Sequence, residues 1–359
     1  MFIDPTLAEP GYARAAPAAG TTMPRRFVTF GRSPALDAPD EQPLYGDRPD
    51  WAQANPARIE AALAHALSRP GGGWAVLDAS RRIRPAPRLF RVNGLDLAVW
   101  RRPDGTVGAV PDACPHMGAS LCKGSVDAAG RLVCPWHGLS LGDRRRGRWT
   151  PFPAHDDGVL TWVRLPALLA PGEAPTDRPV LAPRPATFLD GVIRTEARCE
   201  PRDVIANRLD PWHGVHFHPH SFLRLAVIAE DDAQITVRVV YRVAPFVGME
   251  VDARFHCPDP RTIVMTIVAG EGVGSVVETH ATPIDDGRTA MIEATLATSS
   301  RAAFAWVRPI RALVRPFIEA RAARLWVDDV EYAERMYALR RQAPVVRGQP
   351  RLRVVPGSS

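Results

Sequence analysis

Apolar residues recur along this chain with two periods, and the switch between them divides it. Ile59, Leu63 and Leu67 repeat at helical spacing. Asn55-Pro56 supplies an N-cap and a proline for the first turn, and Gly71-Gly72-Gly73 stops the run, so one short helix is predicted. From Trp74 to about Leu165 the runs shorten to strand length. Leu89-Phe90-Arg91-Val92 meets Asn93-Gly94 and then Leu95-Asp96-Leu97-Ala98-Val99-Trp100, and Asp104-Gly105 marks a second turn. Both dipeptides favour tight hairpins. This stretch reads as a small all-β domain.

Residues 166–185 hold six prolines and read as a linker. Beyond them Ile235, Val237, Val239 and Tyr241 alternate with Thr236, Arg238 and Val240. Arg261–Val268, Ser275–His280 and Thr289–Ala297 are further predicted strands, the last two joined through Asp286-Gly287. They predict an antiparallel sheet with one covered face. From Arg301 to Arg341 the pattern turns helical, with interruptions predicted at Pro309 and Pro316. No internal repeat is evident. The predicted division is a loosely ordered Pro/Ala-rich arm over 1–50, a helical lead-in over 51–73, the β-domain over 74–165, the linker over 166–185, a second domain over 186–345 and a tail over 346–359.

A length of 359 residues suits two domains better than one core. Charge bears on partners: 45 Lys+Arg, nearly all arginine, against 39 Asp+Glu leave a net charge of +6. No recognition-helix or RNA-binding signature accompanies it, so nucleic acid is set aside and an acidic redox partner or anionic lipid is the expected complement. The five cysteines, Cys114, Cys122, Cys134, Cys199 and Cys257, are odd in number and lack the spacing of a secreted framework. A reduced, cytoplasmic protein is expected, in which any shared cysteine role is metal binding. No apolar run is long enough to cross a bilayer. Arg25-Arg26-Phe27-Val28 faintly resembles a twin-arginine signal, but Arg32, Asp37 and Asp40 stand where an apolar run is needed, and no signal peptide is read here.

Two groups of residues carry chemistry. The first is Cys114-Pro115-His116 followed, after seventeen residues, by Cys134-Pro135-Trp136-His137. Each half offers one thiolate and one imidazole. A zinc site is an alternative, but its ligand pairs usually come as Cys with Cys and His with His. Mixed pairs suit a [2Fe–2S] cluster with both thiolates on one iron and both imidazoles on the other. Gly118, Gly124 and Gly138 let the backbone turn close to sulfur. Ala113-Cys114-Pro115-His116-Met117-Gly118-Ala119-Ser120-Leu121 and Val133-Cys134-Pro135-Trp136-His137-Gly138 resemble the two cluster loops of the Rieske family. The respiratory branch joins those loops by a disulfide, at positions corresponding to Ala119 and Trp136, so the resemblance is to the oxygenase and ferredoxin branches. Cys122 lies outside the motif and reads as a small apolar filler.

The second group lies well beyond residue 165, near which a Rieske ferredoxin would end. Asn207, Asp210, His213 and His218 stand in an Asn-x₂-Asp-x₂-His-x₄-His arrangement, and His216 and His220 bring the histidines to four within eight residues. Two imidazoles and one carboxylate on one face of Fe(II) leave positions open for O₂ and substrate. Asp210 and His213, three apart, are expected side by side on a helix, with the carboxylate holding the far ring nitrogen. His213 and His218 diverge by about 140° on a regular helix, so the helix must bend or end, and Gly214 and Pro219 allow it. His216 is the rival ligand; His220 and His256 read as ordinary polar residues.

This arrangement resembles the catalytic motif of Rieske-type non-haem iron ring-hydroxylating oxygenases, specifically their terminal (alpha) subunit. The resemblance implies an α+β chain with an all-β cluster domain, then a catalytic domain whose antiparallel sheet is covered by helices in helix-grip fashion. It implies that Cys114, His116, Cys134 and His137 hold the cluster, that His213 and His218 bind iron, and that Asp210 links the two sites, with Asn207 beside it. The late segment Trp326-Val327-Asp328-Asp329-Val330-Glu331-Tyr332-Ala333-Glu334 resembles the family's third-ligand segment, whose Asp precedes a Glu by five; that selects Asp329, with Asp328 as runner-up. A solvated acidic helix face is the plain alternative for this pair. A homotrimer, in which one subunit's cluster feeds its neighbour's iron, and a separate ferredoxin or reductase are implied as well.

The expected activity is O₂-dependent monooxygenation, dioxygenation or oxidative demethylation of a hydrophobic aromatic, sterol or isoprenoid-like substrate. The alternative is a Rieske electron carrier or redox sensor with a non-catalytic ligand-binding second domain; it would lack the mononuclear iron. Phe304, Trp306, Val307, Ile310, Leu313, Val314, Phe317 and Ile318 lie among arginines. Such a surface either packs on a sheet with its arginines in water or makes a peripheral contact with anionic membrane.

Overall fold

The computed structural model describes residues 53–142, 144–231, 233–244 and 247–342, with the backbone of 28–30. The rest of the arm, the twin-arginine-like residues up to Phe27 and the tail over 346–359 lie outside the described residues. Within the arm, β1 (Val28–Phe30) pairs in parallel with the Val247–Met249 end of a strand of the large sheet.

Helix α1 (Pro56–Ser68) starts where the capping residues indicate, with Asn55 Oδ1 accepting from the amides of Ala57 at 3.1 Å and Arg58 at 3.4 Å. The first domain then runs through β2 (Trp74–Ala79), β3 (Arg88–Val92), β4 (Leu95–Arg101), β5 (Val107–Pro111), β6 (Ser125–Val126), β7 (Leu132–Val133), β8 (Ser140–Leu141), β9 (Ala154–Asp156) and β10 (Leu160–Arg164). They form three small antiparallel sheets, ordered β2-β10-β9, β3-β4-β5 and β6-β7-β8. Asn93 (φ 48°) and Gly94 (φ 77°) make the two-residue turn between β3 and β4.

The second domain is built on β11 (Leu189–Ala197), α2 (Pro201–Arg208), α3 (His213–Phe217), β12 (Phe222–Glu230), β13 (Gln234–Ala244), β14 (Val247–Asp259), β15 (Thr262–Gly270), β16 (Val276–Asp285), β17 (Arg288–Ala297), α4 (Ala302–Val307) and α5 (Arg311–Gln342). Its antiparallel strands follow the order β11-β17-β16-β15-β14-β13-β12. With the helices on this sheet the chain is α+β, as expected. The β3–β4 turn docks on the sheet, its amides donating to the carbonyls of Pro283 at 2.8 Å and Ile284 at 2.7 Å. The linker contributes Arg184, which bridges Asp157 at 2.9 Å and Glu278 at 2.6 Å. Burial alone would raise the Glu278 carboxyl; hydrogen bonds from Arg184 and His280 outweigh it and hold it at about 2. Among the described residues no helix is long and apolar enough to cross a membrane.

One expectation about the tail is corrected. The helix is interrupted at Pro309, which lies in a short 3₁₀ turn, but α5 continues through Pro316. Pro316 stands near the start of the helix, where few turns lie behind it to be disrupted. Ala322, Trp326, Asp329 and Ala333, spaced four, three and four, form the buried face of α5, packed on β11 and α2. The fit is close: a Cβ on Gly191 of β11 would lie 2.6 Å from Ile318 Cγ2. Gly191→Ala should therefore lower stability by about 1–3 kcal/mol. Ile318→Ala in the same chain should recover part of that loss, as read by urea unfolding; equal losses with and without Ile318 would contradict this packing.

Candidate metal centres

The two loops of the first domain are matched. The Cys114 amide donates to the Ala119 carbonyl at 2.8 Å and that of Gly118 to Cys114 at 2.8 Å; the Cys134 amide donates to Leu139 at 2.9 Å and that of Gly138 to Cys134 at 3.0 Å. Gly118 (φ 77°) and Gly138 (φ 64°) supply the left-handed residue that each turn needs. Cys114 and Cys134 are buried, with their sulfurs within hydrogen-bonding reach of each other. The amides of His116 and Met117 aim at one sulfur and those of Trp136 and His137 at the other. The rings of His116 and His137 lie 4.8 Å apart at the exposed tip, flanked by Met117 and Trp136, which are 66% and 63% exposed. Two enclosed thiols with amide donors and two outward imidazoles fit a [2Fe–2S] cluster. Cys122 packs with this core, its sulfur 3.2 Å from Ser120 Oγ.

In the second domain three groups converge. His213 opens α3, and His218 follows the end of that helix with φ −120° and ψ 55°. This break turns two rings that would diverge toward one point. There Asp329 Oδ1 lies 3.0 Å from His213 Nε2 and 2.9 Å from His218 Nε2. Asp329 and His218 are 1% and 2% exposed. The opposite ring nitrogens are engaged elsewhere. His213 Nδ1 donates to the backbone carbonyl of Asp210, and His218 Nδ1 to Asp328 Oδ2 at 3.2 Å. Carbonyls and carboxylates only accept, so both rings carry their proton on Nδ1 and turn Nε2 lone pairs toward a carboxylate. Three acceptors facing one point fit a cation there, and two nitrogens with one oxygen fit Fe(II). Burial alone would raise the Asp329 carboxyl; the charge of Arg208 beside it works the other way and favours the carboxylate.

An apolar cavity of about 580 Å³ opens onto this point. Val237, Val239, Phe255 and Ile263 form part of its wall, and Phe304 and Ile318 reach it from α4 and α5. Its polar lining includes Arg208 and Glu293, which are ion-paired with each other. Arg208 NH1 also approaches Asp329 Oδ2 at 3.6 Å.

The structure separates several sequence alternatives. His216 is exposed and packs against Trp212, away from the convergence point. Asp328 meets His218 from behind, and Asp329 meets both rings. His220, read as an ordinary polar residue, shares a second potential ligand group with His218 and Asp328. The expected side-chain contact between Asp210 and His213 is corrected: Asp210 Oδ2 is 4.0 Å from Nδ1, and the main-chain carbonyl takes the ring proton instead. Asp210 lies between α2 and α3, so the helical i, i+3 geometry does not apply to its side chain. Asp210 Oδ1 is buried without a partner among the described residues, and Oδ2 accepts from Tyr332 Oη at 3.4 Å. Asn207 Nδ2 donates to Asp329 Oδ1 at 3.1 Å. Arg208, Glu293 and Tyr332 were not singled out from the sequence. Glu293 did carry a signal, as the one charge in the apolar run Thr289–Ala297.

Residues 73–167 match the Rieske [2Fe-2S] domain, and residues 170–344 match a domain of unknown function, DUF5914. The vanillate O-demethylase oxygenase subunit of a Pseudomonas sp. is 27% identical over 47% of this chain and 50% of the relative. The dicamba O-demethylase oxygenase component of Stenotrophomonas maltophilia is 30% identical over 28% of this chain and 34% of the relative. The chain thus spans half or less of the length of these curated relatives. The crystal structure of dicamba monooxygenase bound to dicamba superposes with a TM-score of 0.57 at 19% identity, covering 78% of this chain and 92% of that one, which shows a shared fold.

The triad geometry separates the two neighbouring acids. Asp329→Ala should abolish Fe(II) retention at the second site and leave the visible spectrum of the cluster intact. Asp328→Ala, which removes only the group behind His218, should weaken Fe(II) binding by roughly ten- to a hundredfold. Anaerobic Fe(II) titration checks both; the reverse order would assign the site to Asp328.

Proposed function

The chain carries a Rieske [2Fe–2S] domain followed by a domain of the Rieske-oxygenase fold, and on that premise we propose that it is the terminal oxygenase of a Rieske non-haem iron system. The observation that carries this is the meeting of His213, His218 and Asp329 at a buried point open to an apolar cavity. Cys114, His116, Cys134 and His137 hold the cluster, and His213, His218 and Asp329 hold Fe(II). When bound, the cluster supplies single electrons and the iron supplies open positions for O₂. Inserting one oxygen atom into a C–H bond consumes O₂, two electrons and two protons and releases water. The chain's own part is to orient and to exclude water. The Asp210 carbonyl fixes the His213 ring, Asp328 fixes His218, Asn207 holds Asp329, and the apolar wall keeps the reacting carbon dry.

The names of the relatives speak of vanillate and dicamba; for this chain the cavity supports a hydrophobic aromatic, sterol or isoprenoid-like substrate. The exposed tip bearing His116 and His137 supports electron transfer to a neighbouring chain in a homotrimer, and recharging by a separate ferredoxin or reductase. The free cysteines agree with a cytoplasmic setting. The alternative, a carrier or sensor, leaves the convergence of three acceptors in the second domain without a purpose.

A peripheral membrane contact also belongs to this reading. Trp306, Leu313 and Phe317 are 82%, 70% and 77% exposed. Leu313 is nine residues from Ala322 and so on the face of α5 opposite the buried one. Residues 301–325 hold six arginines and one acid, Glu319, which is turned inward to Arg81. The protein should sediment with phosphatidylglycerol vesicles and much less with phosphatidylcholine. Leu313→Glu with Phe317→Glu should abolish that binding. Unchanged binding by the double variant would remove this surface from the account.

Asp210 is proposed as the bridge between subunits. Its buried Oδ1 has no partner among the described residues, while its backbone carbonyl already holds His213. A cluster histidine of a neighbouring chain donating to this carboxylate would complete a short hydrogen-bonded path. Asp210→Asn should leave cluster reduction by the reductase near normal and the mononuclear iron bound, yet collapse substrate-dependent O₂ consumption. Full turnover would exclude the bridge; loss of iron would make Asp210 a ligand.

A further inference from the structure

Glu293 stands in the cavity wall at 4% exposure, between Ile292 and Ala294 in β17. One of its oxygens is heavily used. Oε2 accepts from Arg208, from Trp326 Nε1 at 2.9 Å and from Thr279 Oγ1 at 3.4 Å. The other, Oε1, makes no hydrogen bond among the described residues. It is not walled off: among the described residues, the enclosed unpaired atoms near this site belong to Asn207, Asp210, His220 and Asp329. A role as counter-ion to Arg208 explains Oε2 and leaves Oε1 unexplained. Burial pushes the Glu293 carboxyl up and the charge of Arg208 opposes it; a carboxylate oxygen at the wall of a mostly apolar cavity is costly unless a donor meets it.

We propose that Glu293 Oε1 anchors a hydroxyl group of an otherwise apolar substrate. This rests on reading the cavity as the substrate site, and it narrows the substrate to apolar molecules that carry a hydrogen-bond donor. Geometry also places that hydroxyl. One guanidinium, that of Arg208, touches both Glu293 and Asp329. Glu293 is thus linked to Asp329 through one side chain, and a hydroxyl held at Glu293 lies toward the end of the cavity where Asp329 stands. An ether or ester at the same position cannot donate, and it leaves Oε1 unpaired.

The test is binding without turnover. Iron-loaded protein, anaerobic and with the cluster oxidised, is titrated with 2-naphthol against 2-methoxynaphthalene and with retinol against retinyl methyl ether, by fluorescence. Each alcohol should bind at least roughly tenfold tighter than its ether, the usual scale for losing a hydrogen bond to a charged group. In Glu293→Gln the amide oxygen remains with Arg208 and Trp326 and its NH₂ turns to the cavity. That group donates to alcohol and ether alike, so the preference should fall to about threefold or less. If Glu293→Gln does not fold, the comparison in the unaltered protein decides alone. Equal binding of alcohol and ether, no binding by either alcohol, or a preference that survives in Glu293→Gln overturns the proposal. None of these readouts needs O₂ chemistry, so a failure here is separable from a failure of the oxygenase reading, which iron content and O₂ consumption report.

Discussion

Two imidazole lone pairs and one carboxylate oxygen meet at a buried point where none of the three has a hydrogen to donate. This conflict organises the second domain. It exists because each ring spends its only proton on a group behind it, His213 on a main-chain carbonyl and His218 on Asp328. With both rings neutral, a cation between them would relieve the conflict. A divalent ion supplies that charge and uses all three lone pairs at once. Much of the surrounding architecture holds this point in place: the break after α3 aims His218, and the packing of α5 on β11 sets the depth of Asp329.

Around it the charges are layered. Asp329 is flanked by Arg208, and Arg208 is matched by Glu293, so a buried carboxylate, guanidinium and carboxylate run from the metal point into the cavity wall. Buried charges are tolerated when paired and hydrogen-bonded, and Asn207, Thr279 and Trp326 supply those bonds. The rest of the cavity wall is mostly apolar, with Arg242, Glu271 and Arg321 as its other charged residues. The same element that carries Asp329 also carries Ile318 at the cavity and Phe317 in the solvent, so one helix presents the carboxylate, part of the cavity wall and part of the outer surface.

What could be read from the chain beforehand followed how local each feature is. The cluster loops are short turns whose ligands, glycines and prolines are neighbours in sequence, and their pattern survives translation into structure. Asn93-Gly94 encodes its turn locally too, though nothing local says that its amides will bind the carbonyls of Pro283 and Ile284. The alternation around Ile235–Tyr241 marks β13. Choosing Asp329 over Asp328 needed a family spacing, because adjacent acids on a helix point in different directions and only the packed helix says which faces inward. Arg208 and Glu293 escaped because their meaning is a pairing across 85 residues. The side chain of Asp210 was misplaced because a helical offset was applied across a gap between two helices.

The central claim is that His213, His218 and Asp329 hold one Fe(II) with an open position. It is tested most directly by adding nitric oxide anaerobically to iron-loaded protein whose cluster is fully oxidised and therefore EPR-silent. The account predicts the quartet-spin signal of a ferrous nitrosyl, at about one per chain, absent from Asp329→Ala although that variant keeps its cluster. A protein with the full cluster spectrum but no nitrosyl signal, or a signal undiminished in Asp329→Ala, would contradict it.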